Sequence, residues 1–255
     1  MRTVYVTRYV TPLREGGSLP AVVEADDDGM YVLKFRGAGQ GARALIAELV
    51  AGELARALGL PVPEIVFAEL DPELARTEPD PEIQDLIHAS EGLNLALDYL
   101  PGAANYDPIA DALPEGFASR VVWFDAFVSN LDRTARNTNL MIWHGSPWLI
   151  DHGAALYFHH SWDGSTDNAG QPFALIRDHV LLPQADAIRE ADAGLAPRLS
   201  APVIEEVLEL VPDSWLDADS GRGDPSTQRR AYVQYLLKRL ELRDGFIEEA
   251  VRARG

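Results

Sequence analysis

Residues Asn130-Leu-Asp-Arg-Thr-Ala-Arg-Asn137 and Trp148-Leu-Ile-Asp-His-Gly153 say most about the architecture of this chain. Asp132 and Asn137 are five positions apart, and Asp151 follows Asn137 by fourteen positions. Transfer of a phosphoryl group requires an oriented nucleophilic hydroxyl and divalent metal held on the phosphates. The orienting group and the metal ligands can come from an Asp, an Asn five residues on and a later Asp-x-Gly. The spacing therefore predicts a phosphoryl-transfer site.

The flanking residues predict how this site is held. Residues 116–130 place apolar side chains at helical spacing, which predicts a buried helix that delivers the loop 130–137. Its apolar face consists of Val121, Val122, Phe124, Phe127 and Val128. Residues 139–143 and 148–150 are predicted strands around the turn His144-Gly-Ser-Pro147. Such a hairpin brings Asn137 and Asp151 together, and their oxygens suit Mg²⁺, which keeps several waters and few protein ligands.

Lysine usage singles out one strand. The chain has 22 Lys plus Arg, of which only Lys34 and Lys238 are lysine. Lys34 lies in the apolar run Tyr31-Val-Leu-Lys-Phe35, a predicted strand where a charge is costly to bury unless it is paired. A compact ammonium can contact phosphate as a point charge. Residues 43–58 are a predicted helix that offers Glu48 and Glu53 as counter-charges.

The order of these residues resembles a known family. Lys34, a helix Glu, Asp132 with Asn137, and Asp151 occur in the order of the protein-kinase-like fold. Four segments are similar to the HipA-like kinases: Arg14-Glu-Gly-Gly-Ser-Leu-Pro20, Val32-Leu-Lys-Phe35, Glu48-Leu-Val-Ala-Gly-Glu-Leu-Ala-Arg-Ala-Leu-Gly-Leu-Pro-Val-Pro63 and Leu149-Ile-Asp-His-Gly153. The Asp-Arg-x-x-x-Asn form is also similar to the phosphoinositide 3/4-kinase branch. In HipA-like proteins the Glu about six positions before the Leu-Ala-x-x-Leu-Gly-Leu-Pro run pairs with the strand Lys, so the resemblance selects Glu48.

The resemblance implies an α+β, two-lobed protein-kinase-like fold with a small antiparallel β lobe containing one long helix and a larger, mainly helical lobe. It also implies ATP and Mg²⁺ as cofactors. Asp132 would orient or deprotonate the acceptor hydroxyl, and Asn137 with Asp151 would coordinate Mg²⁺. Lys34, held by Glu48, would contact the ATP phosphates.

The resemblance further implies where the rest of ATP binds. Gly16 and Gly17 would let the first hairpin close over the phosphates, because glycine tolerates conformations that other residues resist. Residues 93–102 would form a strand that runs into a linker, where Leu97, Asp98 and Leu100 meet adenine. The acceptor implied by the family is a Ser or Thr hydroxyl of a protein.

Other functions fit parts of the same sequence. A nucleotide-binding regulatory pseudokinase, a small-molecule or lipid kinase, and an enzyme that transfers a nucleotidyl group onto protein would share these residues. Gly37-Ala-Gly-Gln-Gly-Ala42 matches the dinucleotide-binding glycine pattern and suggests an NAD-binding oxidoreductase. Against it, two predicted strands around Asp26-Asp-Asp-Gly29 favour an antiparallel meander over a β-α-β unit.

The histidines suggest a zinc site only weakly. His152, His159, His160 and His179 could combine with Asp163 or Asp178. They lack the spacing of helix-borne zinc ligands. We therefore interpret the histidine-containing segment as the loop that follows the Asp-x-Gly motif.

Composition limits the classes of partner. The chain has 255 residues, 47% of them hydrophobic and 24% charged, which is enough for two lobes. A net charge of −18 argues against nucleic acid and anionic membranes as partners, since both reward clustered Lys and Arg. The absence of cysteine excludes thiolate chemistry and, together with the lack of an apolar N-terminal segment, is compatible with a cytoplasmic location.

The pattern along the chain predicts two domains. Residues 1–92 would be the ATP-binding lobe, with 71–85 as an extra helix or loop, and 93–255 the helical catalytic lobe. Helices are predicted over 203–210 and 227–247, with a loop over 214–226. The expected core stripe of the last helix comprises Tyr232, Leu236, Leu237, Leu240 and Phe246.

Overall fold

The computed structural model describes residues 1–13, 19–39, 41–216, 221 and 223–255. The chain is a mixed α+β protein, as the sequence predicts. It divides into two compact units, Met1–Leu49 with Pro63–Pro101 and Val50–Val62 with Gly102–Gly255. None of the described helices is long and apolar enough to cross a membrane.

Five strands of the first unit close into a barrel. They are β1 (Thr3–Pro12), β2 (Ala21–Ala25), β3 (Met30–Lys34), β4 (Ile65–Leu70) and β5 (Gly92–Asp98). Their order around the barrel is β1-β2-β3-β5-β4. Val4 and Val6 of β1 point into the core while Thr3 and Tyr5 are exposed, which is the two-residue period of a half-buried strand.

The sequence predicts an antiparallel β lobe, but one strand pairing of the barrel is parallel. β1 pairs with β4 in parallel, and the other four pairings are antiparallel. The reason is the odd number of strands: four successive reversals return the fifth strand to the direction of the first. Closure is favourable because it removes the unpaired strand edges.

Two α-helices accompany the barrel in sequence, the expected long one and a shorter one. α1 (Ala42–Ala57) follows β3, and the division between the units falls inside it, after Leu49. A 3₁₀ helix (Pro72–Thr77) and α2 (Pro81–Ala89) occupy the segment that was expected to be an extra helix or loop. Asp80 begins α2 by accepting a 3.0 Å hydrogen bond from the backbone of Glu82, and Pro81 fits the first helical position.

The first unit extends to Pro101, beyond the boundary expected after residue 92. The extension contains most of β5, which hydrogen-bonds to β3 on one side and to β4 on the other. Hydrogen bonds on both edges fix this strand in the barrel, so the chain leaves the first unit only after it.

The glycine run after β3 has a packing role, and the dinucleotide-binding hypothesis is wrong. β3 pairs antiparallel with both its neighbours, whereas a dinucleotide-binding fold needs adjacent parallel strands. Gly37 donates a 3.0 Å hydrogen bond to Ser90 Oγ. A Cβ at Gly37 would lie only 2.7 Å from the Cβ of Ala89, so the close approach to the end of α2 requires glycine.

The second unit is mainly helical. Its helices are α3 (Phe117–Val128), α4 (Ile188–Leu195), α5 (Ala201–Glu209), α6 (Pro225–Glu241) and α7 (Asp244–Arg254). It also has a small sheet of β6 (Ala104–Asn105), β7 (Leu140–Trp143) and β8 (Ser146–Leu149). Short 3₁₀ helices cover Tyr157–His160, Ala174–Asp178, Leu182–Gln184, Ala196–Arg198 and Asp213–Trp215.

The helix expected over 227–247 is two helices. α6 ends at Glu241 and α7 begins at Asp244. Gly245, in the first turn of α7, passes so close to Gly170 that a Cβ there would lie 2.5 Å from the Gly170 carbonyl oxygen. The break lets α7 turn away from α6 and pack on α3.

The core stripe differs in part from the expected one. Tyr232, Leu236 and Phe246 are buried, as expected, whereas Leu237 and Leu240 are only half-buried. Three further side chains of α6 are buried, those of Gln228, Tyr235 and Arg239.

Candidate functional site

The loop of the candidate site leaves a helix that is buried on every side. All residues of α3 except Arg120 are buried, so the single apolar face expected for this helix is replaced by burial all round. The helix ends at Ser129, which adopts a left-handed conformation (φ 54°). Asn130 then donates a 3.0 Å hydrogen bond to Asp125 of the helix and accepts one of 3.2 Å from the backbone of Asp132.

A tight hairpin delivers the other side of the site. β7 and β8 are joined by His144 and Gly145, which both have positive φ (49° and 74°), as the favoured two-residue hairpin turn requires. β8 starts at Ser146, earlier than the expected strand 148–150, because the turn itself uses only two residues. The chain then reaches Asp151, also at positive φ (53°), a conformation that Asp tolerates better than most residues.

Asp132, Asn137 and Asp151 are brought together in the second unit. Asn137 Nδ2 donates to Asp132 Oδ2 at 2.8 Å. Asn139, which the sequence reasoning missed, bridges the two acids: its side chain donates to the Asp132 backbone oxygen at 3.2 Å and to the Asp151 backbone oxygen at 3.4 Å. Its position two residues after Asn137, directly before β7, is the sequence feature that indicates a place in the site.

Burial and neighbouring groups change the basicity of the Asp132 carboxylate. Burial raises the pKa of Asp132, and the nearby negative charge of Asp151 raises it further. Hydrogen bonds from Asn137 and Asn139 and the charge of Arg133 oppose this rise without cancelling it. Asp132 is therefore a stronger base than an ordinary aspartate, which suits a group that accepts a proton from a hydroxyl.

The donor set of this site fits Mg²⁺ better than zinc. Asp151 offers a carboxylate, and Asn137 offers its amide oxygen because the amide nitrogen is used by Asp132. The negative charge of Asp151, which raises the pKa of Asp132, would be offset by a bound divalent cation. Among the described residues no group of three or more His, Asp or Glu side chains could hold a metal, which leaves the histidine-based zinc idea without support.

Arg133, which follows Asp132, pairs with a buried carboxylate. Its side chain is fully buried, and Nε lies 2.6 Å from Oδ2 of Asp125, which is also fully buried. Arg136, three positions on, is exposed.

Lys34 and Glu48 are paired in the first unit. Lys34 Nζ lies 3.5 Å from Glu48 Oε2, and their side chains are 11% and 2% exposed. Glu53, the alternative partner, instead lies 3.4 Å from Arg56. A lysine ammonium beside a buried carboxylate is oriented by it and can contact an anionic ligand as a point charge.

The segment expected to meet adenine lies at the end of β5. Leu97 and Leu100 are buried, and Asp98 is exposed. The N–H of Asp98 donates to the Glu64 backbone oxygen at 2.8 Å, so this donor is used inside the sheet. Gly16 and Gly17, expected over the phosphates, lie outside the described residues.

The known proteins that match this chain are kinases. The family model described as HipA-like kinase matches residues 6–249, and thereby confirms the resemblance seen in the sequence. The crystal structure of a Helicobacter pylori proinflammatory kinase, CtkA, matches with a TM-score of 0.58 and 13% identity over 98% of this chain and 97% of that chain. The Golgi casein kinase with Mn/ADP bound matches with a TM-score of 0.48 and 13% identity over 95% of this chain and 73% of that one. Among curated protein sequences, none matches.

Proposed function

The chain belongs to the HipA-like kinase family, and we propose that it is an ATP- and Mg²⁺-dependent phosphotransferase whose acceptor is a Ser or Thr hydroxyl of a protein. The observation that carries the proposal is the hydrogen-bonded group of Asp132, Asn137, Asn139 and Asp151. In this proposal the first unit is the ATP-binding lobe and the second is the catalytic lobe of a protein-kinase-like enzyme.

Asp132 is the proposed base. Its carboxylate accepts the proton of the acceptor hydroxyl as the oxygen forms a bond to the γ-phosphorus of ATP. The bond between that phosphorus and the bridging oxygen breaks, and ADP leaves with the bonding electrons. The raised pKa of Asp132 supports this role, because a stronger base shares the proton more readily.

Asn137 and Asp151 are the proposed ligands of Mg²⁺. When bound, the ion supplies positive charge to the phosphate oxygens. The bond from Asn137 to Asp132 holds the amide in the orientation that leaves its oxygen for the ion. Asn139 restrains the backbone at Asp132 and Asp151, so the base and the carboxylate ligand keep a fixed separation.

Lys34 is the proposed contact of the first unit with the ATP phosphates. Glu48 would fix the direction of the ammonium. The Glu48→Gln variant removes the counter-charge while preserving size, and we expect a higher KM for ATP. Glu53→Gln on the same helix is the matched control, since Glu53 pairs with Arg56 at a more exposed position.

The decisive experiment incubates the purified chain with Mg-ATP and follows both intact mass and nucleotide products. The variants are Asp132→Asn and Asp151→Asn, with Asp163→Asn as a control because Asp163 is exposed and only supports a local turn. We expect ADP formation and phosphate on an added protein acceptor or on the chain itself, lost in the first two variants and kept in the third.

Each other outcome contradicts a stated part of the proposal. ATP binding without turnover in the presence of protein acceptors would make the chain a pseudokinase. An adduct of the mass of AMP would mean nucleotidyl transfer. Phosphate recovered only on a lipid or a small molecule would overturn the acceptor class, and no binding of Mg-ATP would overturn the function altogether.

A further inference from the structure

Beneath the loop that carries Asp132 lies a buried charge cluster that the proposed chemistry does not use. Arg133 Nε lies 2.6 Å from Asp125 Oδ2, and both side chains are 0% exposed. The same oxygen accepts a hydrogen bond from His179 Nε2 at 2.9 Å. Arg133 and His179 lie 8 and 54 positions from Asp125 in the sequence, so tertiary folding assembles the cluster.

The protonation state of the cluster is fixed by its hydrogen bonds. Burial raises the pKa of Asp125, but the charge of Arg133 and the bond from His179 outweigh burial and hold that pKa well below its usual range. Burial lowers the pKa of His179, which is therefore neutral at pH 7. Its Nδ1 accepts the Leu181 N–H at 3.0 Å, so its single proton is on Nε2 and is donated to Asp125.

The other end of Arg133 reaches the hairpin. Nη1 donates to the backbone oxygen of Asn139 and, at 3.4 Å, to that of Ile150. Ile150 immediately precedes Asp151, and Asn139 is the residue whose side chain bridges Asp132 and Asp151. The guanidinium of Arg133 thus links helix α3 to the residue before β7 and to the residue after β8.

This cluster is poorly explained by stability alone. Arg133 Nη2 is buried and has no hydrogen-bond partner within the described part of the chain. A buried ion pair with an unsatisfied donor gains little over an apolar pair of similar volume, because both charges lose their hydration. A role in the geometry of the site gives a reason to keep it.

We propose that Arg133 is a positioning residue for phosphoryl transfer, held by Asp125 and His179, and that it fixes the separation of Asp132 and Asp151 without contacting the transferred phosphate. The catalytic consequence rests on the proposed function. The ordering of the loop does not, because it is a property of the second unit that can be measured without turnover.

The main test compares Arg133→Met with Leu208→Ala. Leu208 is buried in α5, which packs on α6, so its truncation destabilises the second unit through contacts of a different helix pair. For Arg133→Met we expect a fall in kcat of about 10–100-fold and a higher Mg²⁺ concentration for half-maximal activity, as for supporting residues around metal ligands. We also expect faster amide hydrogen exchange in residues 130–139 and 148–152, with no change in β2 and β3.

Two substitutions of His179 test the cluster while leaving the Arg133–Asp125 ion pair in place. His179→Gln can place its amide nitrogen where Nε2 lies and so keep the bond to Asp125. His179→Asn can keep the acceptor for Leu181 but loses that bond. We expect the Asn variant to lose about tenfold more kcat than the Gln variant, the size of one buried hydrogen bond.

The results separate the two hypotheses. If Arg133→Met changes neither exchange in the loop nor the Mg²⁺ requirement, or if Leu208→Ala changes both equally, the positioning role is refuted. If the unmodified chain does not turn over Mg-ATP, the proposed function fails, and loop exchange alone then decides the role of Arg133. If Arg133→Met does not fold, the His179 pair decides it by the same measurements, and equal loop exchange in both variants would refute it.

Discussion

Arg239 of α6 supports the helix that delivers the candidate site, and its replacement by Met is expected to destabilise the second unit strongly. The guanidinium is buried and donates to four backbone oxygens, those of Ala126, Phe127, Ala169 and Gln171, at 2.6 to 3.2 Å. The first two belong to the last turn of α3, where carbonyl groups have no partner within the helix. Burial lowers the pKa of Arg239 to about 10, so it remains charged at pH 7.

The magnitude follows from what Arg239→Met leaves behind. A buried carbonyl without a partner costs roughly 1–3 kcal/mol, and Arg239→Met removes the Arg239 hydrogen bonds of four such groups. The variant also regains the cost of burying a guanidinium, which is several kcal/mol. We therefore expect a net loss of about 3–5 kcal/mol in the free energy of unfolding, the usual effect of removing one partner of a buried charged contact. For a chain of this size the melting temperature would fall by about 6–20 °C.

Urea unfolding monitored by tryptophan fluorescence measures this loss, because all five tryptophans lie in the second unit. Trp123 of α3 is fully buried and is the most direct reporter. Arg239→Lys keeps the charge but not the planar fork, and should be intermediate. Lys238→Met on the same helix is the control, expected within about 0.5 kcal/mol of the unmodified chain. A loss for Arg239→Met of under about 1 kcal/mol would refute the reasoning.

Two further predictions concern backbone packing and pH. Gly245→Ala should destabilise the protein by about 1–3 kcal/mol, because the new Cβ would overlap the Gly170 carbonyl. Gly194→Ala should stabilise it by about 0.5–1 kcal/mol, because Gly194 lies in α4 with open space around it. Thermal melts in which both variants shift the same way would contradict this. Asp132 must be unprotonated to accept a proton, and its pKa is raised, so kcat/KM should fall on acidification at a pH above the ordinary aspartate value of about 3.9. In Asp151→Asn the pKa of Asp132, followed by NMR titration of its carboxyl carbon, should be lower than in the unmodified chain, because the neighbouring negative charge is gone; an unchanged pKa would argue against an effect of Asp151 on Asp132.

Local patterns made several features predictable. His144 and Gly145 lie within the turn expected over 144–147, and the apolar spacing of 116–130 predicts α3, although not its burial on every side. Asp132 and Asn137 lie within one loop, so their proximity could be inferred from the sequence. The glycine run at 37–41 misled for the same reason, since its short pattern is shared by unrelated packing requirements.

Contacts between distant residues were not predictable in this way. An odd number of strands makes β1 and β4 parallel, but only the closed barrel reveals that they are neighbours. The break between α6 and α7 depends on Gly170, far away in the sequence. Gly16 and Gly17 stay a prediction, as do the catalytic roles of Asp132, Asn137 and Asp151.

The sequence by itself determined the family, the mixed α+β class and the short-range groups whose members are linked by loop length and by helical or strand period. Tertiary structure alone decided that Arg133 is buried against Asp125 and His179, and that Asn139 bridges the two acids. The physical reason is desolvation. A charged side chain is stable in the interior only where a partner compensates for its lost hydration, and packing of the whole unit determines where that partner lies.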